Sequence, residues 1–454
     1  MKIEFLKSLG GAGLVALLAG SAIANTPDTV EERITSLEAE LQEAKAQQTQ
    51  MLRQAELDQM VTAAADDAAT RSFFQGGPAT LSYLGNGKGF LLSDEGGNNT
   101  MNIGWYNQFR YNANFQDDDS ADPNVDGFNT GFQFARARLW MKGKLMGDFD
   151  YKIVGDFGGY ADGDGRNDGF TLKDFYVDWN MQPDLKLRVG QFKARFMWET
   201  LGSATEQLAV ERSTEERIFG AGRTQGTALI YTGFDCLVIS GGMNDGIRED
   251  NTDWNSGENE FAISGRIDWV AMGEYDQFKS LTANRSADTG LRIGFAALYQ
   301  DGDVGDSATV GSNKGPWPNV FTCTVDGQFE YQGWSVYAMG LYNANQAETP
   351  GNPDADNYAI LVQTGFYLTD EWELFGRWEY IDFDDNVSSN DEFSLFTFGT
   401  NYYVNGQANK LSADVGFSTD SIGAATANDR GVLEVDRDGD DYQFFLRFQW
   451  QLMF

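Results

Sequence analysis

The chain of 454 residues contains no histidine. That removes the Ser-His-Asp triad, the commonest zinc ligand and the usual proton shuttle near neutral pH. No isolated Ser or Asp constellation takes their place, so the chain reads as a non-enzyme with no resident cofactor. Cysteine is almost absent as well. Cys236 and Cys323 are the only two. Each is placed in an expected strand, Cys323 sharing a face with Phe321 and Val325. They read as buried or lipid-facing thiols, with a disulfide as the alternative. No window holds the ~18 uncharged apolar residues of a membrane-crossing helix. Bases are scarce against acids, 33 Lys and Arg to 68 Asp and Glu, a formal net charge of −35. Such acidity excludes nucleic acid as a partner.

What is present begins with a secretory signal. Lys2 and Lys7 form a charged start, 9–19 is apolar, and Ala22-Ile23-Ala24 is a small-residue cleavage site. Residues 1–24 are therefore read as a signal peptide. No cysteine near the cleavage site points to a lipid anchor. Over 25–70, Val30, Ile34, Leu37, Leu41, Ala44 and Met51 follow a heptad-like stripe. Its modest apolar surface needs partners, so this stretch reads as a periplasmic α-helical coiled coil, most naturally trimeric. The Gly- and Asn-rich stretch 71–100 reads as a linker with a short strand at 90–92.

From 101 to 454 the pattern changes to two-residue alternation. The C-terminal strand shows it best: Tyr442, Phe444, Leu446, Phe448, Trp450, Leu452 and Phe454 share one face. Their neighbours Gln443, Arg447, Gln449 and Gln451 share the other. Sixteen such segments are expected: 102–115, 131–145, 149–158, 170–180, 185–193, 223–231, 234–244, 259–272, 288–300, 319–331, 333–344, 357–368, 371–383, 393–405, 408–418 and 440–454. Long and short connectors alternate between them, with 273–287 as one oversized short-side turn. The mean hydropathy of −0.42 would suit a soluble β-protein. A membrane barrel gives the same average, because half of its strand residues face water. A four-bladed propeller would repeat every ~40–50 residues and would not alternate its connectors. The expected fold is therefore all-β: a 16-stranded antiparallel transmembrane β-barrel wide enough for an aqueous channel, preceded by the coiled coil.

Pointing the apolar phase outward turns Arg110, Arg136, Arg138, Lys142, Lys186, Arg188, Arg266, Arg292, Arg377 and Arg447 inward, together with Asp174, Asp178, Asp268, Asp326, Glu330, Glu373 and Glu379. The bases read as a pore-lining track that draws small anions, or as charges that merely solvate the interior. Most of the acidity lies in the long connectors. Two of these, with Asp162, Asp164 and Asp168 and with Asp436, Asp438 and Asp440, place oxygen ligands at near-alternate positions on glycine-rich chain. They suit calcium or simple solvation, and neither matches an EF-hand loop.

The segments GFQFARARLWMKGKLMGDFDYKIVGDFGG, FTLKDFYVDWNMQPDLKLRVGQFKARF, AVERS and GAGRTQGTALIY resemble the phosphate-selective porin O and P family. The resemblance implies a homotrimer of sixteen-stranded barrels in the outer membrane, with a short periplasmic coiled coil and a narrow pore. Its lumen arginines would correspond to Arg136, Arg138 and Arg188. Porins fold a third long loop inward; here that is 194–222, whose Glu206, Glu211, Arg212, Glu215, Glu216 and Arg217 become the candidate constriction. A surface loop packing on a neighbouring protomer is the alternative for this segment. A terminal Phe454 is similar to the signal that outer-membrane barrels present to their assembly machinery. The expected function is passive diffusion of small hydrophilic solutes and ions, with a phosphate-type anion preference. The alternative is a structural protein tethering the membrane to the cell wall through its coiled coil.

Overall fold

The computed structural model describes residues 34, 37–38, 41–53, 79–116, 127–158, 170–251, 260–282, 285–286, 288–302, 309–310, 313–314, 319–346, 353–386, 391–423, 426–427, 433–435 and 442–454. The expected signal peptide and the two candidate calcium loops lie outside these residues. The chain divides into two units, 1–75 and 76–454. In the first, residues 41–53 are helical, and Leu41, Met51 and Leu52 are exposed.

The second unit contains a closed antiparallel barrel of sixteen strands. In chain order these are β1 (Thr100–Phe115), β2 (Phe128–Leu145), β3 (Phe149–Asp156), β4 (Thr171–Gln182), β5 (Leu185–Lys193) and β6 (Arg223–Phe234). Then follow β7 (Leu237–Asn244), β8 (Phe261–Met272), β9 (Gly290–Asp301), β10 (Asn319–Tyr331) and β11 (Trp334–Gln346). The last are β12 (Ala355–Tyr367), β13 (Trp372–Asp382), β14 (Glu392–Asn405), β15 (Asn409–Ser418) and β16 (Phe444–Met453). Each strand pairs with the next, and β16 closes on β1 from Phe444↔Phe115 to Met453↔Tyr106. Closure leaves no strand edge unpaired, which a sheet in lipid requires.

Alternation sorts the side chains as the sequence predicts. On β10, Phe321 and Val325 are exposed while Thr322, Thr324, Asp326, Gln328 and Glu330 are buried. The outer face carries a belt of exposed Phe, Trp, Tyr, Ile and Leu that would be costly in water and suits lipid. The tight turns use left-handed residues at the expected places: Met146 and Gly147 have φ of 56° and 79°, and Gln332 and Gly333 have 43° and 87°. Positive φ at both central positions matches the right-handed twist of the flanking strands.

Three expectations need correction. The sixth strand continues through the turn expected at Thr232-Gly233 and ends at Phe234, because apolar Phe234 extends the ladder to pair with Leu237. Cys236 consequently sits exposed in the turn rather than in a strand; it and Cys323 are free thiols. The segment expected as a linker forms an ordered hairpin, Thr80–Tyr83 with Phe90–Ser93, and the second of these strands pairs with the start of β1. Finally, the oversized connector 273–287 is not a plain turn. It carries a 3-10 helix, Tyr275–Lys279, whose Phe278 is fully buried.

Candidate functional site

Residues 194–222 leave β5, cross the barrel interior and return to β6. Backbone bonding from Ala194 N–H to the Gly222 carbonyl (3.1 Å) closes the loop's neck. Phe196, Met197, Trp198, Leu208, Ala209, Ile218 and Phe219 are buried in a cluster with inward-facing Val270, Ala296 and Leu298. These apolar residues draw the segment inside although it is rich in acids. Two short helices shape it, α1 (Trp198–Leu201) and α2 (Thr214–Phe219). Ser213 caps α2, accepting from the Glu216 N–H at 3.1 Å while its hydroxyl donates to Glu199 at 2.6 Å. Arg212 staples the loop to itself by donating to the Glu199 and Gly202 carbonyls at 3.0 and 2.9 Å.

The barrel wall holds this loop through many of the predicted basic residues. Glu211 bridges two of them: its carboxylate accepts from Arg110 at 2.7 Å and from Arg136 at 2.5 Å. Arg377 donates to the Glu211 carbonyl at 2.7 Å, and Asp414 accepts from the Val210 N–H at 3.2 Å. Arg266 and Arg292 form a closed network with Asp268 and Asp326, all contacts between 2.7 and 3.0 Å. Arg266 also donates to the Phe196 carbonyl at 3.0 Å, and the Arg292 guanidinium lies 3.8 Å from the Trp198 ring centroid. Arg447 is bidentate to Asp414, Arg188 to Asp178, and Arg138 pairs with Asp156 at 2.6 Å. Lys186 reaches Asp150 at 3.3 Å.

All ten bases lie on the inward side; most are matched by a carboxylate, and five of them, Arg110, Arg136, Arg266, Arg292 and Arg377, also touch the inward loop. Much of the basic track is thereby neutralised by its ion pairs. Asp150, Asp156 and Asp414, which supply several of these partners, were missed in the sequence although each sits in the inward phase. Among the candidate constriction residues, Glu211, Arg212 and Glu216 are engaged within the loop or its anchors. Glu216 accepts from the Thr200 hydroxyl, and the Arg217 carbonyl accepts from Arg248. Glu215 is fully buried with both carboxylate oxygens lacking hydrogen-bond partners, and burial beside Glu379 pushes its proton affinity far above the usual carboxylate range.

Glu206 faces open space. It borders two cavities at the end of the barrel that carries the short turns. One, of about 520 Å³, is lined by Lys88, Arg138, Lys142, Lys152, Lys193 and Arg223 against Asp174 and Glu206. Lys152 and Arg223 share Asp174, at 2.9 and 2.6 Å. Lys193 donates to the Gly202 carbonyl at 2.8 Å. Lys142 and Lys88 have no carboxylate partner among the described residues. The other cavity, of about 620 Å³, is lined by acids, Glu274, Asp288, Glu330 and Asp370 beside Glu206, and no base. The inward connector 273–287 helps to separate the two: the Leu281 N–H donates to the Glu206 carbonyl at 3.1 Å, and Gln407 donates to Thr282 at 3.2 Å. Burial raises the proton affinity of Glu206, opposed by Lys410. Lys152 was legible in the alternation of β3. Lys88 was not, because it belongs to the hairpin read as a linker.

A closed sixteen-stranded barrel, apolar outside, polar within and narrowed by an inward loop, defines a membrane channel protein. The phosphate-selective porin O and P family model matches residues 108–449, and the chain belongs to that family. It is an outer-membrane porin, and both family and fold are those of channels rather than enzymes. Similar solved structures include the anion-selective porin of Comamonas acidovorans, with a TM-score of 0.53 and 11% identity over 78% of this chain and 100% of that one. The channel DcaP of Acinetobacter baumannii gives 0.51 at 15% identity over 80% and 100%. OprB of Pseudomonas putida gives 0.52 at 9% identity over 78% and 94%. At such identities the likeness concerns the fold. A comparison with curated proteins gave no match.

Proposed function

We propose that this porin passes small hydrophilic anions, of phosphate type or similar charge, by passive diffusion. The observation that carries the proposal is the six-base cavity beside Glu206, which keeps a positive surplus after its ion pairs are counted. The name of the Comamonas acidovorans relative, an anion-selective porin, points the same way. The negative charge of the chain does not oppose this reading, since screening confines distant acids to about 8–10 Å at physiological salt. The working form is read as a homotrimer in the outer membrane. The exposed apolar residues of helix 41–53 support a periplasmic coiled coil, and Phe454 would be the handle for the assembly machinery. A cell-wall tether rests on that helix alone and is the less supported reading.

The test is single-channel conductance with the reversal potential measured across a salt gradient, alongside native mass in mild detergent. Anion-side reversal and a trimer mass are expected. A cation-side reversal would refute the anion reading, and a monomer mass the trimer.

Acid should sharpen the preference. Glu206 holds its proton above the usual carboxylate range, so lowering the pH neutralises it before ordinary surface acids titrate. Neutralisation removes one of the two negative charges lining the basic cavity. Anion selectivity should therefore rise as the pH falls from neutral, and Glu206→Gln should show the higher value already at neutral pH. An unchanged pH profile in that variant would assign the effect to other groups.

A further inference from the structure

The hairpin that precedes β1 is built into the barrel's seam. β16 pairs along one edge of β1 as far as Met453↔Tyr106, and Phe454 then exchanges two backbone hydrogen bonds with Trp105, of 2.8 and 3.1 Å. Where β16 runs out, Phe90–Ser93 takes over the same edge, from Phe90↔Ile103 to Ser93↔Thr100. The terminal ring is enclosed by this arrangement: its centroid lies 5.7 Å from Tyr83, 5.2 Å from Phe90 and 6.3 Å from Trp105.

Between the two hairpin strands, residues 84–89 make a turn that only a glycine-rich sequence permits. Gly85, Asn86, Gly87 and Gly89 all have positive φ, from 47° to 73°. A Cβ on Gly87 would lie 2.6 Å from the Met453 Cβ, and one on Gly89 would lie 2.1 Å from the Ile103 carbonyl oxygen. The turn is thus pressed against the end of β16 and the start of β1. Asn405, in the β14–β15 turn, donates to Asn86 at 3.4 Å on its far side. Asn86, Gly87 and Lys88 consequently become part of the wall of the basic cavity, with Lys142, Lys152 and Arg138.

We infer that residues 84–89 are a fixed strap across the mouth of the pore, and that Lys88 is a selectivity-determining residue held there by the aromatic clamp on Phe454. The inference rests on the porin reading. Tyr83 and Phe90 act as positioning residues: they touch no solute and work through the placement of Lys88. The C-terminal residue then has a second use in the finished barrel, as the anchor for a charge that lies far from it in sequence.

The test uses the full chain carrying Cys236→Ser and Cys323→Ser, with Lys88→Cys added, in planar bilayers. Loss of one cation at the cavity wall should lower the anion-to-cation permeability ratio by roughly two-fold. A sulfonate-bearing thiol reagent should lower it roughly two-fold again, and a trimethylammonium-bearing reagent should restore it. Tyr83→Ala with Phe90→Ala, keeping Lys88, should lower the ratio in the same direction, and adding Lys88→Cys to that pair should change little more. Gly87→Val, which wedges the strap from Met453, gives the same readout should the double-alanine chain fail to assemble. A conducting Lys88→Cys pore whose reversal potential ignores both reagents would overturn the inference. Full retention of the Lys88 effect with the clamp removed would overturn the positioning role. A chain that does not conduct before any substitution would count against the porin reading instead.

Discussion

Glu211→Ala should give a pore that unfolds at lower temperature and conducts in larger, noisier steps. Glu211 is a single carboxylate shared by two buried guanidiniums, Arg110 at 2.7 Å and Arg136 at 2.5 Å. Removing one partner from a buried ion pair costs about 3–5 kcal/mol, because the remaining charge stays desolvated. Here two cations would be left facing each other across the vacated site. Part of the cost would be relieved by water entering from the lumen, and that same water would separate the loop from the β1–β2 wall. The loop would not leave altogether. Arg377, Asp414 and Asn401 hold its backbone through the Glu211 carbonyl, the Val210 N–H and the Leu208 carbonyl. Partial loosening is therefore expected, visible as rapid flicker, a conductance increase of roughly two-fold and a lower unfolding temperature. Arg212→Ala should do much less to the wall contact, since Arg212 bonds to carbonyls of its own loop. Equal effects of the two substitutions would show that Glu211 is not the pin that joins loop to barrel.

The contrast between these neighbours shows where sequence reading stops. Alternation decides which face a side chain takes, so the sixteen strands and the inward direction of all ten candidate bases followed from the sequence, while the turn at 232–233 and the connector 273–287 did not. It does not decide which side chains meet. Arg266 and Asp268 share a face two residues apart, but their network is completed by Arg292 on β9 and Asp326 on β10. That requires the register of neighbouring strands, which is fixed by turns and closure rather than by any one strand's pattern. The loop is harder still. Glu206, Glu211 and Glu215 look alike in sequence, whereas one borders the cavities, one pins the wall and one is sealed within the loop's packing. The inward course of 194–222 was expected from the resemblance to porins alone. Nothing in that resemblance told which acid would remain wet. The hairpin 80–93 was hidden for a different reason: its glycines read as looseness, yet four positive-φ positions and two close backbone approaches make them a shape requirement.

Lys142→Glu should produce the largest change in selectivity of any single substitution in the lumen. Lys142 lines the basic cavity, rests near the Trp140 ring at 5.1 Å from its centroid, and has no carboxylate partner among the described residues. Its charge is therefore available to a passing ion, unlike that of Arg266 or Arg447, whose fields are largely cancelled by Asp268, Asp326 and Asp414. Two unit charges about 8 Å apart interact by about 0.5 kcal/mol in water and about 2 kcal/mol at an effective dielectric of 20. Reversing a charge doubles the change, to about 1–4 kcal/mol, and salt pulls it toward the low end. At that low end, about 1–2 kcal/mol, the anion-to-cation permeability ratio should fall by roughly five- to thirty-fold, and by more at low ionic strength. The new carboxylate has Lys152 across the ladder as a partner, since residues 142 and 152 face each other on β2 and β3. Lys152 is already held by Asp174 at 2.9 Å, so the new carboxylate would compete for it rather than remove a second free charge. Lys142→Gln should give about half the free-energy change, which separates the charge from the shape of the side chain. The fold should survive both substitutions, because Lys142 is exposed and anchors no loop. Arg447→Gln is the control: it removes one charge too, but from a buried pair with Asp414, and should lower stability with little change in the anion-to-cation ratio. A reversal potential that moves with Arg447 and not with Lys142 would place the selective surface deeper in the barrel than the cavity beside Glu206.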